Sequence, residues 1–182
     1  MSEQSGRYQR SMSGMVGALV VTLVAIAAFV AWRALNRNDV DVRPEAVDYL
    51  ASVSYLQEAG RTIVYPPSLP KGWTATSANY GTGRDLSWDM GALTASDEFA
   101  GVRQEDASVD QLVSDYVDPN AEEGEAVQVD GAVATTWRSF SDDGGDFALV
   151  AELREETVLV YGSADPDEIE ALAASLVTTP LQ

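Results

Sequence analysis

The side chains in this sequence that could do chemistry are almost all carboxylates. The 182 residues include 29 Asp and Glu against 11 Lys and Arg, with no His and no Cys. Imidazole acid–base chemistry, thiol nucleophiles, disulfides and zinc sites built on Cys or His therefore lack their side chains. The net charge of -18 also argues against nucleic acid as a partner, because binding to phosphates needs a basic surface.

Two acidic segments invite a calcium interpretation. Asp118, Asn120 and Glu122 fall at positions 1, 3 and 5 of a calcium-loop pattern. Position 6 lacks the glycine that the pattern requires, and position 12 is Val129 instead of a glutamate, so the pattern fails. The other segment, DDGGD at residues 142–146, is typical of a turn, because Asp and Gly suit turn backbones. We therefore predict no metal site and no cofactor.

Carboxylates could also act in pairs, as they do in glycoside hydrolases. Such a pair needs one member with a raised pKa in an apolar cleft, and an abundance of acids is not evidence for it. The sequence contains no G-x-S-x-G and no phosphate-binding G-x-x-x-x-G-K-[ST] motif. We predict no catalytic residues and no enzyme activity. A carboxylate-dependent hydrolase remains an alternative, and a deep cleft with two facing carboxylates would identify it.

Residues 12–32 form an apolar run that predicts a transmembrane helix. The run contains 21 residues with no charge and no proline. At about 1.5 Å per residue, a helix of this length matches a hydrocarbon core of about 30 Å, whereas the apolar run of a cleavable signal is only about 7 to 15 residues. We interpret it as an uncleaved single-pass anchor.

The acidity of the remaining chain favours one orientation. From residue 33 onward the chain carries nine basic and 28 acidic side chains, and a membrane potential that is negative inside favours such a segment outside. The prediction is a cytoplasmic tail at 1–11, the span at 12–32, a juxtamembrane spacer and short helix at 33–60, and an extracytoplasmic domain at 61–182.

Pro44 and Gly60 bracket the predicted juxtamembrane helix at 45–59, since proline suits a first helical turn and glycine a helix end. Three prolines between residues 66 and 70 then exclude a regular helix or a central strand. Residues 69–72 suit a type I turn with Pro70 at its second position. An extended run should begin at Trp73.

The next part of the chain predicts a hairpin followed by a helix. Apolar and polar residues alternate from Leu86 to Met90, and a turn at residues 95–97 returns the chain through Phe99. A capping box at 108–111 then begins an amphipathic helix that extends to Tyr116.

The second half predicts a four-stranded meander and a terminal helix. Asp130-Gly131 is a signal for a two-residue hairpin turn, and residues 142–146 form the next turn. FALVAEL and TVLVYG are the last two strands, separated by REE. Asp165 is predicted as the N-cap of the closing helix, with Pro166 at its first position and Glu168 completing a capping box.

These elements predict an α+β domain, with an antiparallel sheet and helices packed on one face. The order of strands then helix occurs twice, so an internal duplication is an open alternative. Trp73, Trp88 and Trp137 lie on predicted strands and are expected to fill the core. Trp32 ends the span, where indole favours the membrane interface.

LPKGWTATS at residues 69–77, the preceding apolar span and the terminal DPDEIEALAASL together resemble a family of actinobacterial one-pass membrane proteins. It is known as a domain of unknown function, family four-two-four-five. The resemblance covers nearly the whole chain, including VDYLASVSYLQEAG and a hairpin that ends in VRQ. It implies a membrane-anchored external domain without known catalysis, and it brings no site residues.

By elimination, the sequence predicts a non-enzymatic envelope protein whose external domain binds a partner protein or an envelope component. The alternative is an envelope sensor or regulatory subunit. Residues 1–11 are too short to fold into an output domain, so a signal would have to pass through another membrane protein.

Overall fold

A computed structural model describes residues 12–35, 44–81, 87–131, 133–154 and 156–181. The chain divides into two compact units, Met1–Arg43 and Pro44–Gln182. The predicted tail at 1–11, part of the predicted spacer and Leu86 of the predicted hairpin lie outside the described residues.

The described part of the first unit is a helix, α1, at Met12–Leu35. Its segment Met15–Trp32 has a mean hydropathy of 2.5 and is long and apolar enough to cross a membrane. By length and composition this helix could be a membrane anchor or a signal sequence.

The described residues of the second unit form three helices and eight strands. The helices are α2 (Tyr49–Glu58), α3 (Val109–Tyr116) and α4 (Pro166–Ala174). The strands are β1 (Thr74–Tyr80), β2 (Ser87–Leu93), β3 (Phe99–Glu105), β4 (Glu122–Glu123), β5 (Val127–Gln128), β6 (Thr136–Ser141), β7 (Phe147–Leu153) and β8 (Glu156–Gly162).

The strands form one antiparallel sheet in the order β1-β2-β3-β8-β7-β6-β4, with β5 also paired to β6. The predicted α+β class and the predicted meander of the last four strands are confirmed, since β5, β6, β7 and β8 pair in sequence. The order of three strands then a helix occurs twice, as β1-β2-β3-α3 and β6-β7-β8-α4.

The helices lie on both faces of the sheet, where the sequence suggested one. Val158 and Val160 of β8 belong to the cluster that contains α2 and α4, which defines the first face. Leu159, between them, belongs to the cluster that contains α3, which defines the second face. The reason is that β7 and β8 bury consecutive apolar residues, so both of their sides need cover.

Because α3 and α4 lie on opposite faces of the sheet, the two halves of the domain share an order of elements but not a symmetric arrangement. A two-fold axis between the adjacent antiparallel strands β3 and β8 would put α3 and α4 on the same face. They pack against opposite faces of the same two strands, β7 and β8, so no such axis relates the two halves.

The segment after α2 is irregular, as its prolines predict, and its residues 63–66 are buried. Gln104 of β3, only 2 % exposed, accepts a hydrogen bond from the Val64 N–H and donates one to the Thr62 carbonyl. Trp88 Nε1 donates to the Val64 carbonyl at 3.1 Å. These bonds pair the backbone N–H and C=O groups of a segment that belongs to no strand of the sheet.

The turn that follows is displaced by one residue from the prediction. Trp73 N–H donates to the Pro70 carbonyl, so the turn spans residues 70–73 with Pro70 first. Gly72 has a φ of +88° at the third position, which is the requirement of a type II turn.

The helix starts agree with their signals only in part. Ser108 Oγ accepts from the Gln111 N–H, which confirms the predicted cap. Asp165 does occupy the N-cap of α4, but its side chain makes no capping bond, so the predicted capping box is absent. The juxtamembrane helix begins at Tyr49 and not at the predicted residue 45, because Asp48, and not the region of Pro44, supplies its N-cap. Three of its residues enter the core, so α2 is part of the second unit.

The hairpin at Asp130-Gly131 has a longer loop than predicted. The β5–β6 register ends with the Val129 N–H bonded to the Thr135 carbonyl, so five residues close the hairpin. The turn at 142–146 is confirmed by a bond from the Asp142 N–H to the Asp146 carbonyl.

The tryptophans of the second unit contribute to the core as expected. Trp88 and Trp137 are fully buried on the first face. Trp73 is half-buried and packs against the same cluster.

Candidate functional site

The second face is covered unequally, and this defines the candidate site. Helix α3 packs against β7 and β8 and reaches β3 through Tyr116, while among the described residues no helix makes extensive contacts with β1 or β2 on that face. We call this surface the open half-face. By strand alternation it consists of Ser77, Asn79, Asp89, Gly91, Leu93, Phe99, Gly101, Arg103 and Glu105.

The sequence places polar groups there by simple alternation. Asp89 lies between Trp88 and Met90, whose side chains are buried on the first face. The β2–β3 register pairs Asp89 with Arg103, so opposite charges face each other across the two strands.

Arg103 is the centre of a hydrogen-bonded cluster on the open half-face. Its Nη1 lies 3.0 Å from Asp89 Oδ1, and its Nη2 lies 2.6 Å from Glu105 Oε2. The guanidinium stacks over the Tyr116 ring at 4.1 Å, and Asn79 Nδ2 donates to Asp89 Oδ2 at 2.9 Å. With only 12 % of its side chain exposed, Arg103 is held rigidly by these partners.

Aromatic rings pack against one another between the open half-face and α3. Tyr161 of β8 lies edge-on to Phe99 at 5.6 Å and is 5.9 Å from Tyr116. Burial raises the pKa of Tyr161 to about 12, with the Asp89 charge adding to the rise and Arg103 opposing it. Burial also raises the pKa of Tyr116, against the opposing effect of Arg103.

The raised pKa of Tyr161 predicts a loss of stability in alkali. Below about pH 10 the folded and unfolded states both keep the phenol proton. Between about pH 10 and the folded pKa of about 12 the unfolded state loses this proton first, so the free energy of unfolding should fall. Urea titrations across this range should show a shallower fall for Tyr161→Phe than for the natural chain. Equal slopes would contradict the assignment.

The electrostatics of the cluster disfavour an anionic ligand. Two carboxylates surround one guanidinium, so the cluster carries an excess negative charge, and the Arg103 donors are already engaged. An arginine that binds phosphate or carboxylate ligands needs free donors for them. The surface instead suits a positively charged partner that can also contact aromatic rings.

The two segments considered for calcium come together in a separate acidic depression. Its lining residues are Asp118, Asn120, Glu122, Ser141, Asp142, Asp143 and Gly144. Asp118 Oδ1 accepts from the Asn120 N–H at 2.6 Å, and Asp142 Oδ1 accepts from the Asp146 N–H at 2.7 Å. Burial and the neighbouring Asp142 raise the pKa of Asp146. These acids act as turn-forming groups, and the described part of the chain holds no cluster of three metal-ligating side chains.

Sequence reasoning did not select the Arg103 cluster, although a signal was present. A turn at residues 95–97 predicts the register in which position 89 faces position 103. That pairing joins the only acid inside β2 to the only base inside β3. The contribution of Tyr116 could not be foreseen, because it depends on where α3 packs.

Fold and site together define an α+β domain with a two-sided core and one uncovered half-face, preceded by an apolar helix. The profile of the family described as protein of unknown function (DUF4245) matches residues 7–176. The chain belongs to this family, as its motifs had suggested. A search of curated proteins gives no match.

Proposed function

We propose that the chain is a non-enzymatic, membrane-anchored protein of the cell envelope whose extracytoplasmic domain binds a basic partner protein. The observation that carries the proposal is the open half-face, where polar and aromatic side chains are ordered and, within the described part of the chain, helix α3 covers only the Arg103 end through Tyr116. An ordered polar surface of this kind suits recognition, because its side chains are positioned before a partner arrives.

Charge supports the partner's chemistry. Residues 44–182 carry 26 acidic and six basic side chains, so the domain attracts a basic surface over a distance. The same charge disfavours nucleic acid. The anchor assignment draws on the apolar length of α1, and the external location draws on the acidity of the body.

The proposal that the protein is not an enzyme is supported by the structural contacts that its clustered carboxylates make. Asp118 and Asp142 accept backbone hydrogen bonds in turns, and Asp89 and Glu105 hold Arg103. Each is committed to a structural contact, whereas a hydrolytic pair needs two carboxylates facing a substrate.

Photo-crosslinking in the native membrane tests this proposal. A photoreactive residue at Leu93, on the open half-face, should capture one membrane or envelope protein, and a probe at exposed Gln111 of α3 should not. The purified partner should then bind the full chain with an affinity that falls about tenfold or more in high salt. Protease added to spheroplasts should remove the domain, and protease added to inverted vesicles should leave it intact.

Two results would overturn the proposal. Identical capture by the Leu93 and Gln111 probes would exclude the open half-face as the binding surface. Protection of the domain in spheroplasts, with cleavage in inverted vesicles, would exclude the external location.

A further inference from the structure

The two edges of the sheet are built differently. At one edge the last strands, β4 and β5, have only two residues each. At the other edge β1 has seven residues, and a register shift between Ala75 and Ser77 is its only irregularity. Natural sheets usually shorten or charge their edge strands, because an open edge can pair with another strand.

Four outward backbone groups of β1, those of Ala78 and Tyr80, have no hydrogen-bond partner among the described residues. The Gly81 N–H donates to the Ser87 carbonyl, so by alternation Asn79 bonds inward to β2, while Ala78 and Tyr80 direct their N–H and C=O groups outward. The only described backbone bond on this outer edge runs from the Val47 N–H to the Ala75 carbonyl.

The same edge gathers the large exposed apolar side chains of the described part of the second unit. Among the described residues of that unit these are Val47, Tyr55 and Tyr80, which are 38 %, 58 % and 39 % exposed. The rings of Tyr55 and Tyr80 lie 5.4 Å apart. Clustered apolar exposure next to unpaired backbone groups is typical of an interaction surface.

Charge identifies a second copy of this chain as the occupant. Among the described strands of six or more residues, β1 alone has no charged side chain. Two copies of a domain with 26 acids and six bases repel each other over most of their surfaces, and this repulsion is smallest at an uncharged strand. A basic partner protein would instead be expected to bind a strand that carries acidic side chains, and β1 carries none.

The spacing along β1 is also self-complementary. Antiparallel pairing about a two-fold axis at Asn79 places Ala78 opposite Tyr80 of the second copy, and the reverse. This register pairs the N–H and C=O groups of Ala78 and Tyr80 in each strand, giving four hydrogen bonds. It also sets the large Tyr80 ring beside the small Ala78 side chain.

We propose that two copies of this chain pair through their β1 strands, antiparallel and centred on Asn79, to form one continuous sheet. A two-fold axis perpendicular to the sheet keeps both open half-faces on the same side. A membrane tether raises the effective concentration of the two strands.

Disulfide crosslinking tests the register, because the natural chain has no Cys. In the proposed pairing, residue 79 faces its counterpart with Cα atoms about 4.5 Å apart, within disulfide range. Full-length Asn79→Cys, purified and reconstituted at low density in phosphatidylglycerol and phosphatidylethanolamine liposomes, should oxidise to a covalent dimer. Asn120→Cys, the same substitution at an exposed loop position, should stay monomeric.

A second substitution separates strand pairing from random collision. Adding Tyr80→Glu to Asn79→Cys places carboxylates beside the two-fold axis and should slow crosslinking about tenfold or more. Matching circular dichroism spectra would show that the fold is kept. An Asn79→Cys chain that stays monomeric, crosslinks no faster than Asn120→Cys or is insensitive to Tyr80→Glu would overturn the proposal. Capture of a different protein by a probe placed at Asn79 in native membranes, in place of a second copy, would also overturn it.

Discussion

Replacing Trp88 with alanine is expected to lower the free energy of unfolding by about 3–5 kcal/mol. The indole is fully buried on the first face of the sheet, and its Nε1 donates to the Val64 carbonyl at 3.1 Å. Truncation leaves a cavity and also removes the partner of a buried carbonyl. Urea unfolding of the full chain in detergent micelles, followed by far-ultraviolet circular dichroism, measures the change.

Two further substitutions distinguish the cavity from the lost hydrogen bond. Trp88→Phe keeps most of the ring volume and loses the indole N–H, so it should cost clearly less than Trp88→Ala. Trp73→Ala removes the same side chain from a half-buried position and should also cost less. Equal losses of stability for Trp73→Ala and Trp88→Ala would contradict the prediction that the deeper burial of Trp88 makes its truncation more costly.

Replacing Gly162 with alanine is expected to destabilise the domain by about 3 kcal/mol or more. Gly162 ends β8 with a φ of +152°, and an added Cβ would lie 2.0 Å from the Phe99 carbonyl oxygen. That oxygen also accepts a hydrogen bond from the Ala164 N–H, so a shift of the backbone would disturb the entry into α4. The melting temperature of the variant gives the readout.

Gly131→Ala is the matched control for this prediction. Gly131 also has a positive φ, +79°, but an added Cβ meets nothing within 4 Å. Its substitution should therefore cost only the conformational penalty of about 1–2 kcal/mol. If Gly131→Ala and Gly162→Ala lower the melting temperature equally, the close approach of Phe99 does not determine the effect.

Much of the fold follows from local patterns. The amphipathic helix after Ser108, the last three strands and the closing helix were predicted because capping residues, turn residues and apolar periodicity all favour the same structure. The predicted turns were wrong at two places where the same residues are compatible with turns of different position or length. The sequence at Pro70 and at Asp130-Gly131 predicts a turn, but the length of the loop depends on how the flanking strands pair.

The candidate site was only partly predictable. Alternation along β2 and β3 determines that Asp89 and Arg103 share a face, and the hairpin turn determines that they are paired. Nothing local specifies that Tyr116 stacks over Arg103 or that Tyr161 becomes partly buried beside Phe99 and Tyr116. Those contacts join residues far apart in sequence, and they exist only once α3 has packed against β7 and β8.

By itself the sequence determined an apolar helix near its start, a carboxylate-rich body without His or Cys, and the strand and helix order of an α+β domain. Tertiary structure alone decided which sheet face each helix covers, and therefore which half-face stays open and which edge stays unpaired. The physical reason is that side-chain periodicity specifies which residues share a face, while the partner of that face is chosen by long-range packing.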